Sequence, residues 1–210
     1  MLDKIFGADG WLYRILNRLV EFILLNVVFL ITCIPIFTIG CAVTSLYGTS
    51  RKLMKDEGYL IRGYFSNFKE NFKKSTIVWL IMLVVLLILA ADFWILSGSG
   101  RESMQWMKII IMAVFVLWLM IFTYVFPLIS KFENTIKNTL MNALVISMTR
   151  ILFTIPMLVL NLLPIAIWFI GGRALLYGIS IYLALGYAVT AYINTHILEH
   201  VFKKYIREQV

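Results

Sequence analysis

Apolar residues dominate five long runs of the chain, and short polar or basic segments separate them. The first run covers about residues 19–41, LVEFILLNVVFLITCIPIFTIGC, and the others about 76–97, 107–129, 151–170 and 174–195. Each is close to the ~20 residues that a helix needs to cross a hydrocarbon core about 30 Å thick. None alternates apolar and polar positions, so the runs predict spanning helices and not barrel strands. Gly171-Gly172 between the last two runs predicts a tight turn and an antiparallel hairpin.

Two connections carry a pattern of their own. In YLIRGYFSNFKENFKKST, within a loop spanning residues 44–75, Tyr64, Phe65, Phe68 and Phe72 share one helical face while most of the cations fall off it. In SKFENTIKNTLMNALVISMTR, within a loop spanning residues 130–150, Phe132, Ile136, Leu140 and Leu144 recur every fourth position. Both read as amphipathic helices below the membrane, resting among anionic headgroups or docking another protein, with Phe65, Phe68, Phe72, Leu140 and Leu144 as apolar anchors.

Composition agrees with the pattern. The 210 residues are 61% hydrophobic and 14% charged, against about a quarter charged in soluble domains, and the mean hydropathy is +0.90. The expected class is therefore all-α: a single polytopic membrane domain over residues 1–210, with five transmembrane helices and two amphipathic cytoplasmic helices. The net charge of +8 is read as loop cations orienting the chain in a lipid bilayer, not as a nucleic-acid footprint. The first twenty residues lack the apolar core of a cleavable signal. The 44–75 loop, the 130–150 loop and the tail 196–210 hold more Lys and Arg than the opposite ends, which predicts an outside N-terminus and a cytoplasmic C-terminus. Residues 1–18 read as an interfacial segment leading into the first span. Were that segment to rest on the cytoplasmic side, the first run would be a re-entrant hairpin breaking near Pro35.

Polar residues inside the runs are few: Asn26 in the first, Asp92 in the second and Asn161, between Pro156 and Pro164, in the fourth. Asp92 is placed near the outer headgroups, and the two asparagines fit interhelical hydrogen bonds, with a substrate site near Asn161 as the sharper alternative. Cys33 and Cys41 lie about 12 Å apart on one helix, too far for a disulfide. His196 and His200 do not follow a zinc-binding order and read as tail residues. No nucleophile–base set, metal cluster or phosphate loop is visible, so no enzyme activity, cofactor or metal is expected. Pro35, Thr38, Gly40 and Gly48 are expected to kink the chain and offer a close-packing surface.

Asn26, then Pro35, Thr38 and Gly40, Leu46-Tyr47, a basic loop, and Phe65, Phe68 and Phe72 entering the second span resemble the YesL-like family of bacterial membrane proteins, a domain of unknown function. FENTIKNTLMNALVIS also resembles that family's second cytoplasmic segment. The resemblance implies a bacterial cell membrane. It further implies an accessory role in carbohydrate import, because such members are commonly encoded beside binding-protein-dependent sugar ABC importers and polysaccharide-degrading enzymes. Permease subunits of such an importer are the implied partners. Residues 131–148 occupy a loop comparable to a permease coupling helix but lack that motif's Gly and Ile-x-Leu-Pro ending, so the chain is not itself read as a permease. A small carrier or channel using Asn26, Asn161 and Asp92 is the alternative. Oligomeric state is not legible.

Overall fold

The computed structural model describes residues 11–98 and 105–208. The first ten residues of the expected interfacial segment and the end of the tail lie outside the described residues. All regular structure among the described residues is helical. In chain order the helices are α1 Trp11–Cys33, α2 Ile39–Met54, α3 Leu60–Gly98, α4 Gln105–Lys131, α5 Ile136–Thr149, α6 Ile151–Ile170, α7 Gly172–Ile181 and α8 Tyr187–Glu208. A 3-10 turn, Ile36–Thr38, joins α1 to α2, and a π segment, Tyr182–Gly186, joins α7 to α8. Five helical columns are long and apolar enough to cross a membrane: α1, α3, α4, α6 and the α7–α8 column.

The first apolar run is not one helix. Pro35 has no N–H to continue a ladder and disfavours α geometry at Ile34, and α1 stops at Cys33. Thr38 then gathers the freed backbone, its hydroxyl lying 2.6 Å from Thr32 O and 2.7 Å from Pro35 O. The chain reverses. Arg18, near the start of α1, donates to Leu53 O at the far end of α2 (3.0 Å) and pairs with Asp56 just beyond it (2.7 Å). The start of α1 and the end of α2 therefore lie at one end of the bundle. An Arg18 and an Asp56 on opposite sides of a membrane are incompatible with that ion pair, so the first run at 19–41 is not one straight span, and the start of α1 shares an end of the bundle with the 44–75 segment. Ile34, Ile36 and Phe37 sit exposed at the hairpin tip.

The supposed loop 44–75 is helical for most of its length. α2 runs to Met54, and after a short link, with Asp56 and Gly58 at positive φ, α3 begins at Leu60. α3 is 39 residues long, or about 58 Å, nearly twice a hydrocarbon core. The aromatic–basic stretch and the second span are thus one continuous rod, because both keep the same helical period and no breaker separates them. The 130–150 connection condenses into α5, capped by Thr135, whose hydroxyl accepts from Asn138 N. The tail from 196 onwards is also corrected: it continues α8, and Leu198, Val201 and Phe202 are buried, with Phe202 edge-on to Phe132 at 5.6 Å.

α2 is the central column, with most of its 16 residues buried. It packs antiparallel to α3: Gly40 lies against Ser75 and Trp79, Gly48 against Asn67, and Lys52 beside Gly63. A Cβ at Gly40 would collide with Trp79 Cβ, Ser75 O and the Phe126 ring. Hydroxyls stitch the contact. Thr44 Oγ1 meets Ser75 Oγ at 2.8 Å, Thr32 Oγ1 meets Tyr64 OH at 2.6 Å, and Trp79 Nε1 donates to Ile36 O at 2.8 Å. α4 returns alongside α3, where Trp118 Nε1 donates to Met82 O at 2.9 Å. The α6 bounds match the fourth apolar run, and Gly171 and Gly172, at φ 68 and 60, make the turn into α7.

Gly40→Leu should destabilise the bundle by at least about 1–3 kcal/mol through overpacking, read as a lowered melting temperature and loss of monodispersity in mild detergent. Gly63→Ala, where the nearest atom to a new Cβ is Lys52 Cδ at 3.7 Å, should leave melting unchanged or slightly raised.

Candidate functional site

Two buried polar assemblies occupy the interior, both built by asparagines. Asn26 is fully buried on α1 and faces the π segment. Its Nδ2 donates to Tyr182 O (3.0 Å) and Leu183 O (2.8 Å), and its Oδ1 accepts from Ala188 N (3.1 Å). A π segment widens the helical ladder and disturbs local backbone pairing. One side-chain amide satisfies those groups from a neighbouring helix. Phe29 against Tyr187 and Phe22 against Tyr192 continue the α1–α8 seam on either side. With its oxygen and both amide protons engaged, Asn26 works as a clasp and has nothing left for a substrate.

The second assembly joins four helices. Asn194 on α8, fully buried, donates from Nδ2 to Asn161 Oδ1 on α6 (2.8 Å) and to Tyr47 OH on α2 (3.2 Å). Asn161 Nδ2 in turn reaches Thr123 Oγ1 on α4 at 3.4 Å. The Asn194 side-chain oxygen is buried without a partner. Tyr47, Thr123 and Asn161 line a partly open pocket of about 250 Å³ together with Phe29, Phe122, Leu160 and Pro164 among others.

At the end of the bundle where α2, α4 and α8 converge, a charged cluster closes the structure. Lys131 Nζ lies 2.8 Å from both Glu199 oxygens and 5.0 Å from the centre of the Phe202 ring. Arg51 Nη2 donates to Ser130 O at 2.6 Å. Burial holds the Arg51 guanidinium below its ordinary pKa, and the Glu199 carboxylate opposes that shift. An Arg beside a closing carboxylate stays charged at neutral pH.

The sequence-derived residues separate in space. Asn161 belongs to the cavity, Asn26 to the clasp, and Asp92 lies exposed near the outer end of α3 beside Leu96 and Met107; the three do not form one path. Pro35 and Thr38 make the hairpin turn, and Gly40 and Gly48 face α3. Of the expected anchors, Phe65 and Phe72 point outward, whereas Phe68 and Leu140 pack against the core and Leu144 is only half-exposed. Met141, Val145 and Met148 take the outward face of α5 instead. Sequence reasoning missed Asn194 and Tyr47. AYINTHILEH reads as a span running into a polar tail, so Asn194 carried no sign of burial. Its one available signal was its place at the end of an apolar run, directly after Ile193.

Residues 22–93 match a family described as "Protein of unknown function, DUF624". The match runs from α1 through the hairpin to the outer part of α3. It takes in Asn26 and Tyr47 and leaves out Asn161 and Asn194. Neither the curated proteins nor the solved structures returned a match.

Asn26→Leu should orphan two carbonyls and one N–H at the π segment. The expected cost is about 1–3 kcal/mol for each group that finds no new partner, measured as a fall in thermal or denaturant midpoint in detergent. Asn26→Gln should recover part of it.

Proposed function

We propose that this multi-pass protein lies in a bacterial cell membrane with its basic end in the cytoplasm, as a non-enzymatic accessory or regulatory component of a carbohydrate ABC importer. The cations Arg18, Arg51, Lys52, Lys55 and Lys131 gather at the end where α1 begins and α2, α4 and α8 run out, the distribution that positive-inside retention favours. The Arg18–Asp56 pair brings the N-terminal end of α1 to that same side. The α1–α2 hairpin then enters the bilayer from the cytoplasm and returns, while α3, α4, α6 and the α7–α8 column cross it.

The observations that carry a docking role are the exposed Phe65 and Phe72 on α3 and the exposed Met141 and Met148 on α5. Phe65 is 49% and Met148 56% exposed, and the same helices carry Lys69, Lys73 and Lys137. Methionines and aromatics on a surface of this kind adapt to a partner's grooves. The α3 portion is amphipathic, with its apolar edge at headgroup level, where a permease's cytoplasmic helix is within reach. The likeness to YesL-like proteins supplies the importer as partner.

A carrier is the second reading, favoured by the cavity beside Asn161. It loses Asn26 and Asp92 as path residues. Purified protein that moved a sugar into liposomes without any partner would establish it.

From cells grown on glycans, the full chain in mild detergent should co-purify with importer permease subunits. Phe65→Ala with Phe72→Ala should lower recovery about tenfold, the effect of losing ~1.4 kcal/mol at a docking anchor. Recovery without any importer subunit contradicts the reading.

A further inference from the structure

We infer that the cavity between α1, α2, α4, α6 and the π segment is a binding site for a small uncharged molecule that presents one hydroxyl or carbonyl oxygen on a ring-sized apolar body. Three features of the wall lead there: its mixed polar and aromatic lining, its incompletely used hydrogen-bond donors and its lack of charge.

The cavity of about 250 Å³ has a mostly apolar lining with a few polar groups. Tyr47, Thr123, Asn161 and Thr190 line it together with Phe29, Phe122 and Leu160. No Asp, Glu, Lys, Arg or His lines it. A charged ligand would be stripped of water with no countercharge to meet it, which excludes ions and zwitterions. The size falls just below the range of about 300–1,000 Å³ usual for drug-sized ligands, so a single ring or its equivalent fills it.

The donors in this lining are incompletely used. The Tyr47 hydroxyl accepts from Asn194 Nδ2 at 3.2 Å and also meets the Asn161 side chain. Asn161 Nδ2 has two protons, and its contact to Thr123 Oγ1 is long, 3.4 Å. Thr123 directs its own proton to Leu119 O, at 2.9 Å. Buried N–H and O–H groups rarely go without acceptors. Here an oxygen on the ligand can take a proton from Tyr47 and one from Asn161 together. A ligand hydroxyl can also donate to the wall.

Much of the remaining lining is aromatic. Phe29 and Tyr187 rings lie 5.5 Å apart, and Tyr187 and Tyr182 lie 5.3 Å apart. Such a wall accepts the face or edge of a ring. The Asn26 clasp fixes it, since the backbone carbonyl of Tyr182 is one of the groups that Asn26 holds. Binding here is independent of the docking reading. It supplies the carrier reading with a site, yet the two separate: saturable binding without flux in liposomes keeps the site and removes the carrier.

The test uses the purified full chain in detergent, with benzyl alcohol and toluene as probes matched in body and differing in the oxygen. Ligand-detected NMR titration should give saturable binding of benzyl alcohol at least about tenfold tighter than toluene, the worth of a buried hydrogen bond. Tyr47→Phe should remove most of that preference. Leu160→Trp, which fills the cavity and leaves the polar chain intact, should abolish saturable binding of both probes while retaining a cooperative melt, and it decides the matter if Tyr47→Phe fails to fold. Equal affinity for the two probes, partitioning that never saturates, absence of binding, or binding that survives Leu160→Trp would each overturn the inference.

Discussion

Gly40 has no side chain because there is no room for one: α2 meets α3 and α4 there backbone to side chain, against Ser75 O, Trp79 and Phe126. That approach fixes the bundle. In lipid, helices gain little by hiding apolar surface from one another, so association rests on close packing and on hydrogen bonds between helices. α2 supplies both. Its glycines and alanine let neighbours approach, while the Ser45 hydroxyl bonds back to Cys41 O and the Thr44 hydroxyl reaches across to Ser75. A central column made of small and hydroxylated residues is a poor helix to leave in lipid alone. It is a good one to surround.

The reversal at Pro35 is what makes α2 central. Without it the same residues would descend into a cytoplasmic loop, and α1 and α2 could not both touch α8. With it, α1 meets the α7–α8 column through the Asn26 clasp, and α2 meets it through Tyr47 and Asn194. The π segment is therefore held from α1, and the polar chain beside it is held from α2. The cavity forms in the space left between these attachments. At the basic end, Arg51 and the Lys131–Glu199 pair link the ends of α2, α4 and α8, so the column is tied at both extremities.

Much of this was legible in the pattern of apolar runs. α6 and the Gly171-Gly172 turn fall where the sequence places them. The hairpin was legible only as an alternative, breaking near Pro35, for a physical reason: a proline in an apolar stretch interrupts the ladder equally whether the helix kinks or turns back. Only the distant pairing of Arg18 with Asp56 distinguishes the two. The composition of α2 misled as well, since Gly, Ser and Thr followed by cations are what a soluble connection looks like. α3 hid its length because an amphipathic stretch and an apolar one share a period. For the site, Asn161 was visible by its isolation among apolar residues, while Asn194 was masked by the polar residues that follow it.

The account stands or falls on the antiparallel α1–α2 hairpin. Arg18→Cys combined with Asp56→Cys, treated in native membranes with a short thiol–thiol cross-linker, tests it directly, with each single variant controlling for Cys33 and Cys41. The hairpin predicts an intramolecular cross-link in the double variant alone, and equal protection of residues 18 and 56 from a membrane-impermeant thiol reagent added outside intact cells. No cross-link, with residue 18 labelled from outside and residue 56 protected, would contradict it.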